Sequence, residues 1–118
     1  MKIALTQMDI VWESPEANKQ ICKHLIQNAK DAGCDLIVFP ELTLTGFTMR
    51  PEQFAPNQDL TFFRELAMQY SIYLICGYIE AIEDNYYNKL ALCSPEGTIL
   101  LDYAKLHPFS YGEESWHY

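Results

Sequence analysis

Leu36-Ile37-Val38-Phe39 is an unbroken apolar run closed by Pro40. That pattern belongs to a strand covered on both faces, and proline ends it by removing a ladder donor. Upstream, Ala17, Ile21, Leu25 and Ala29, with Cys22 and Ile26 beside them, recur at three- and four-residue spacing. The spacing predicts a helix that buries one stripe. Ser14 is placed to cap it, Pro15 to occupy its first position, and Gly33 to end it at positive φ. Lys2 to Met8 reads as a short apolar strand. Strand, helix, strand predicts a right-handed parallel crossover and an α/β fold.

Downstream of Pro40, the stretch from Thr43 to Asn57 contains Pro51 and Pro56 and is too long and too broken for a simple turn. Long loops at strand ends often carry function. A second helix is expected from near Asp59, with Leu60, Phe63, Ala67 and Tyr70 on one face. Ile72 to Ile79 reads as a third strand. Asp84-Asn85 then turns the chain into a strand over Tyr86–Cys93, and Pro95-Glu96-Gly97 turns it into another over Thr98–Tyr103. Ala104 to Tyr118, rich in aromatic and acidic residues, reads as loop. With no repeat, linker or low-complexity tract, the 118 residues read as one unit.

Composition narrows the function classes. A net charge of -8 and only eight basic residues offer no footprint for a phosphate backbone, so nucleic acid is excluded as a partner. The N-terminal residues lack a signal-peptide pattern, and no apolar run approaches bilayer length. A soluble cytoplasmic protein without a membrane partner is expected. Cys22, Cys34, Cys76 and Cys93 form no C-x-x-C or Cys/His cluster, so they read as reduced, buried thiols, and no metal or cofactor is expected.

Chemistry is best sought at the carboxyl ends of the strands, where open α/β sheets bind ligands. Glu41 lies just beyond the second strand, flanked by Phe39, Pro40 and Leu42, and is expected to be partly desolvated, as suits a general base. Lys105 follows the last strand, where a fixed ammonium stabilises an oxyanion. Glu114 offers a second carboxylate. Each also has a plain alternative as a solvated or turn-capping charge.

Three segments carry a resemblance. Phe39-Pro40-Glu41-Leu42-Thr43-Leu44-Thr45-Gly46-Phe47 is similar to the F-P-E-x-x-x-[ST]-G-[FY] segment of the nitrilase, or carbon-nitrogen hydrolase, superfamily. Tyr103-Ala104-Lys105-Leu106-His107-Pro108-Phe109 resembles its Y-x-K-x-H-[LP]-F segment, and Lys2-Ile3-Ala4-Leu5-Thr6-Gln7 its first strand. The resemblance implies the N-terminal half of an α-β-β-α sandwich, a mixed sheet with two covering helices, and a Glu-Lys-Cys catalytic set. Glu41 would be the general base, Lys105 the stabiliser of the tetrahedral intermediate, and Glu114 a second acid that helps to position the substrate. The family's nucleophilic cysteine follows a further strand beyond the lysine. Residues 1–118 are therefore expected to be a partial domain truncated before it, inactive alone.

The substrate implied is a small amide or nitrile, and the complete protein is expected to be a homo-oligomer. Thr45-Gly46-Phe47-Thr48-Met49 and Glu114-Ser115-Trp116-His117-Tyr118 look most like the omega-amidase branch, which acts on amides of 2-oxo acids. The alternative is a non-catalytic half-sandwich that serves as a binding or oligomerisation module. A flavodoxin-like nucleotide binder is disfavoured, because no glycine-rich loop follows the first strand.

Overall fold

Five strands pair in the order in which the chain makes them. The computed structural model describes residues 1–56 and 58–118, without the side chains of residues 58 and 59; the predicted loop end at Asn57 lies outside the described residues. The elements are β1 (Ile3–Leu5), α1 (Pro15–Asp31), β2 (Leu36–Val38), α2 (Pro51–Phe54), α3 (Gln58–Tyr70), β3 (Tyr73–Ile82), β4 (Asn85–Cys93), β5 (Ile99–Ala104), a 3-10 turn (Ser110–Gly112) and α4 (Glu114–His117). The sheet is parallel from β1 to β3 and antiparallel from β3 to β5.

Both parallel connections step one strand in the same direction, and α1 and α3 lie together on one face of the sheet. There Cys22 and Ile26 of α1 and Phe63 and Ala67 of α3, all fully buried, meet Ile37, Leu74, Cys76 and Ala91 of the strands. Burying Ile26, Ile37, Phe63 or Leu74 stabilises the fold by about 1.5–3 kcal/mol each. Two covering helices on a mixed sheet are as the sequence implied.

The details depart from expectation where tertiary contacts override local pattern. β1 stops at Leu5, because the Thr6 N–H and hydroxyl both donate to the Val38 carbonyl, where β2 ends. Ser14 precedes α1 but makes no capping hydrogen bond through its side chain. Gly33 stands just past the C-cap with φ +77°. The β3–β4 turn falls on Glu83-Asp84, one residue earlier than read, because Asn85 already pairs with Ile82; Glu83 supplies the positive φ that a two-residue hairpin needs. The presumed loops hold α2, the 3-10 turn and α4, each too short to show periodicity.

The opposite face of the sheet is divided. Toward one end the chain from Glu41 to Ala55 folds over it, burying Leu42, Ala55 and Ile79 with Tyr86 and Tyr118 alongside. The remainder stays open, with Ile3, Leu5, Tyr73, Leu101 and Tyr103 on one face and each at least two-fifths exposed.

Candidate active site

The site lies on that second face, at the border between its covered and open parts. After β2 the chain turns across β3 in a tight elbow. Thr43 fastens it: its N–H donates to the Gly77 carbonyl at 3.2 Å, while its hydroxyl accepts from the Gly77 N–H and donates to the Pro40 carbonyl at 2.6 Å. The backbone comes so close that a Cβ at position 77 would sit 2.5 Å from the Leu42 nitrogen. Only glycine fits there. Leu42 itself is buried at φ +45°, a conformation that costs a non-glycine residue about 1–3 kcal/mol and clusters at functional sites. The outer end of the elbow is tied down by Asn18, fully buried, whose amide donates to the Leu44 carbonyl at 2.8 Å.

This elbow projects Glu41 over the sheet toward Lys105. Sheet register brings the lysine: Asn88 on β4 and Lys105 after β5 are cross-strand neighbours, joined by the Lys105 N–H to the Asn88 carbonyl at 2.9 Å. The Lys105 ammonium donates to Glu41 Oε1 at 2.8 Å and to Glu114 Oε2 at 3.0 Å. It also stands 5.4 Å from the centre of the Phe47 ring. Glu114 is 1% exposed, at the start of α4, where Glu113 at φ +63° turns the chain inward. The Phe109 N–H donates to Glu114 Oε2 at 2.6 Å. The three residues singled out from the sequence therefore meet.

Two features were not anticipated. Glu41 is not desolvated by its apolar neighbours; its side chain is 41% exposed, because Phe39 and Leu42 turn into the two cores and leave the carboxylate outside. Asn88 was missed altogether. Its Nδ2 donates to Glu41 Oε1 at 2.6 Å and to Glu114 Oε1 at 3.0 Å. The available signal was strand alternation: Asn88 shares its face with Tyr86, Leu90 and Leu92, a polar residue in an apolar row.

The charges are set by neighbours rather than by burial alone. Burial would raise the Glu114 carboxyl, but the Phe109 N–H, the Asn88 amide and the Lys105 ammonium outweigh it and hold the group below the ordinary carboxylate range. Burial would lower Lys105, but its two carboxylates push it above the ordinary lysine value. The site thus holds a permanent cation between two carboxylates. Beside it lies a cavity of about 320 Å³ bordered by Glu41, Gly77, Asn88, Leu90, Tyr103 and Lys105. A second, of about 280 Å³, is lined by Phe47, Met49, Phe109, Gly112 and Glu114.

No cysteine reaches the site: all four are buried in the core on the helix side of the sheet. Burial pushes the Cys22 thiol up to about 12 and Cys76 well above its ordinary value. A hydrogen bond from Cys76 holds Cys93 down against the rise that burial alone would bring; at 0% exposed it is still out of reach of any substrate. Among the described residues no cluster of side chains suits a metal.

Residues 2–117 match the family model described as carbon-nitrogen hydrolase. A nitrilase of Pyrococcus abyssi is 32% identical over 92% of this chain and 44% of its own length. The omega-amidase YafV of Yersinia enterocolitica is 31% identical over 100% of this chain and 46% of its own. The chain thus spans about half the length of the curated relatives it matches. In structure it superposes with TM-score 0.91 on an amidase from Nesterenkonia sp. AN1, at 21% identity, over 100% of this chain and 48% of that one. At that identity the likeness speaks for the fold.

Proposed function

The chain belongs to the carbon-nitrogen hydrolase family, and from that membership we propose that Glu41, Lys105 and Glu114 form the acid-base and oxyanion half of an amide-hydrolysing site. The observation that carries the reading is the Lys105 ammonium held between Glu41 and Glu114, partners 64 and 9 residues away in sequence. Glu41 takes the proton of an attacking thiol. Lys105, kept protonated, faces the oxyanion that forms on the carbonyl, and Glu114 keeps Lys105 in place. The leaving ammonia or amine accepts a proton from Glu41, and water then releases the acid from the thioester with Glu41 again as base.

The thiol in this proposal belongs to a cysteine outside residues 1–118, and these residues are one half of the catalytic domain. The substrate is a small-molecule amide. The omega-amidase relatives support an amide of a 2-oxo acid. The setting is the cytoplasm, where the four buried thiols stay reduced, and the complete protein is a homo-oligomer. Mass spectrometry of the longer protein, quenched during turnover of a 2-oxo acid amide, tests the scheme. An acyl adduct on a cysteine beyond Tyr118, absent in Glu41→Gln, is expected. Turnover without any cysteine adduct, undiminished in Glu41→Gln, would refute it.

The open half of the sheet favours one second reading, a non-catalytic module that docks a partner on Ile3, Leu5, Tyr73, Leu101 and Tyr103. A defined assembly of the 118-residue chain in size-exclusion chromatography, together with a complete protein that turns over no amide, would favour it over the enzyme.

A further inference from the structure

The two carboxylates of the site are neighbours of like charge, and a single ammonium does not occupy all of their oxygens. Glu41 Oε1 accepts from both Lys105 and Asn88, whereas Glu41 Oε2 has no protein partner among the described residues. Glu114 is engaged at both oxygens, Oε1 by Asn88 and Oε2 by Lys105 and the Phe109 N–H. Lys105 and Asn88 both choose Glu41 Oε1, and Asn88 Nδ2, with two hydrogens to give, reaches Glu114 Oε1 as well. Asn88 is 4% exposed and fixed in place by its strand, opposite Lys105. The charged groups facing Glu41 are Lys105 from the end of β5 and Glu114 from α4, so Asn88 is the neutral member of the cluster.

We infer that Asn88 is a positioning residue of the site. It holds Glu41 through Oε1 so that Oε2 is the oxygen presented to the proton in transit, and it ties Glu41 to the buried Glu114 without adding charge. An amide suits the task because it brings two donors while leaving the ammonium as the sole cation available to an oxyanion. Aspartate would bring a third carboxylate in place of the donors. Leucine would match the size and leave two carboxylate oxygens short of a partner.

This inference rests on the proposed role of Glu41, and the test separates the two. Carbon-detected NMR titration of the glutamate carboxyls in the longer protein needs no substrate. In Asn88→Leu, loss of a donor to the charged form is expected to raise the midpoint of Glu114, which Asn88 helps to hold below the ordinary carboxylate range. Asn88→Ser, which keeps one donor, is expected to raise it by less, and it also serves if the leucine variant does not fold. Misplacing Glu41 is expected to lower kcat by up to about 10²-fold, with KM little changed. An unchanged Glu114 midpoint in either folded variant would overturn the inference, as would a fall in turnover that only follows the folded fraction. A wild-type protein that hydrolyses no amide would strike the proposed function instead, and the titration would still decide the place of Asn88.

Discussion

The sheet carries a lysine held between two carboxylates on each of its faces. On the helix side, Lys89 donates to Glu80 at 2.5 Å and to Asp102 at 2.6 Å, and Asp102 also accepts from the Tyr78 hydroxyl at 2.9 Å. On the other side, Lys105 donates to Glu41 and Glu114 at similar distances. The two clusters are one register step apart, since Lys89 pairs with Ala104 and Asn88 with Lys105. Their construction differs. Glu80, Lys89 and Asp102 all come from neighbouring strands, and pleat and register alone bring them together. Glu41 and Glu114 come from outside the sheet, on a strained elbow and an inward turn, and one of them is buried. An ion pair on a pleated surface forms without strain, whereas strain, a buried acid and an adjoining cavity mark a place where charges are held for another purpose.

The contrast is sharpest in catalysis. In the longer protein that the proposed function requires, Glu41→Gln or Lys105→Ala is expected to lower kcat by about 10²–10⁴-fold. Lys89→Met is expected to leave kcat within a few-fold. Steady-state kinetics on one amide would break the comparison if Lys89 mattered as much as Lys105.

A backbone change comes next in size. Gly77→Ala forces a methyl group against the Leu42 nitrogen and Glu41 Cα, so the elbow has to move. Overpacking of this kind costs about 1–3 kcal/mol, measured as a lower denaturant midpoint, and turnover is expected to fall with it. No strand position that supplies the Lys89 cluster depends on a glycine.

The clusters also respond differently to pH: the Lys105 cluster at both ends of the scale, through Glu114 and Lys105, and the Lys89 cluster at the alkaline end. The Glu114 carboxyl is held below its ordinary value in the folded protein, so it contributes stability above the unfolded value that is lost as pH falls through the folded one. Lys89 is raised: burial opposes its charge, and the Asp102 and Glu80 carboxylates prevail. Its contribution is complete below the ordinary lysine value and is lost as pH climbs through the raised one. Thermal melts across pH should show a shallower acid limb in Glu114→Gln and a shallower alkaline limb in Lys89→Met. The smallest effect expected is that of Asp102→Asn, whose carboxylate is 41% exposed; about 0–1 kcal/mol from chemical denaturation is the range for such a pair.

The parts of this molecule that obey a period were legible from the residues. The stripe of α1, the apolar run of β2 and the β3–β5 meander follow from spacing, and the strand ends pointed to Glu41 and Lys105. The exposure of Glu41 was not legible, because its apolar neighbours in sequence face other parts of the fold. Nor was the convergence of Glu114, which depends on a single left-handed residue, Glu113, in a segment without periodicity. Asn88 escaped because its importance lies in register, and register joins residues that sequence keeps apart.

Each strand of the sheet pairs with the one made just before it. A chain emerging from the ribosome can therefore lay down the sheet in the order of synthesis, without waiting for a distant partner, and domains do generally fold from the N-terminal side as they are made. The elbow needs only β3 to set. Asn88 arrives next, and Lys105 and Glu114 arrive last, so for much of its synthesis the nascent protein carries Glu41 without the cation that holds it.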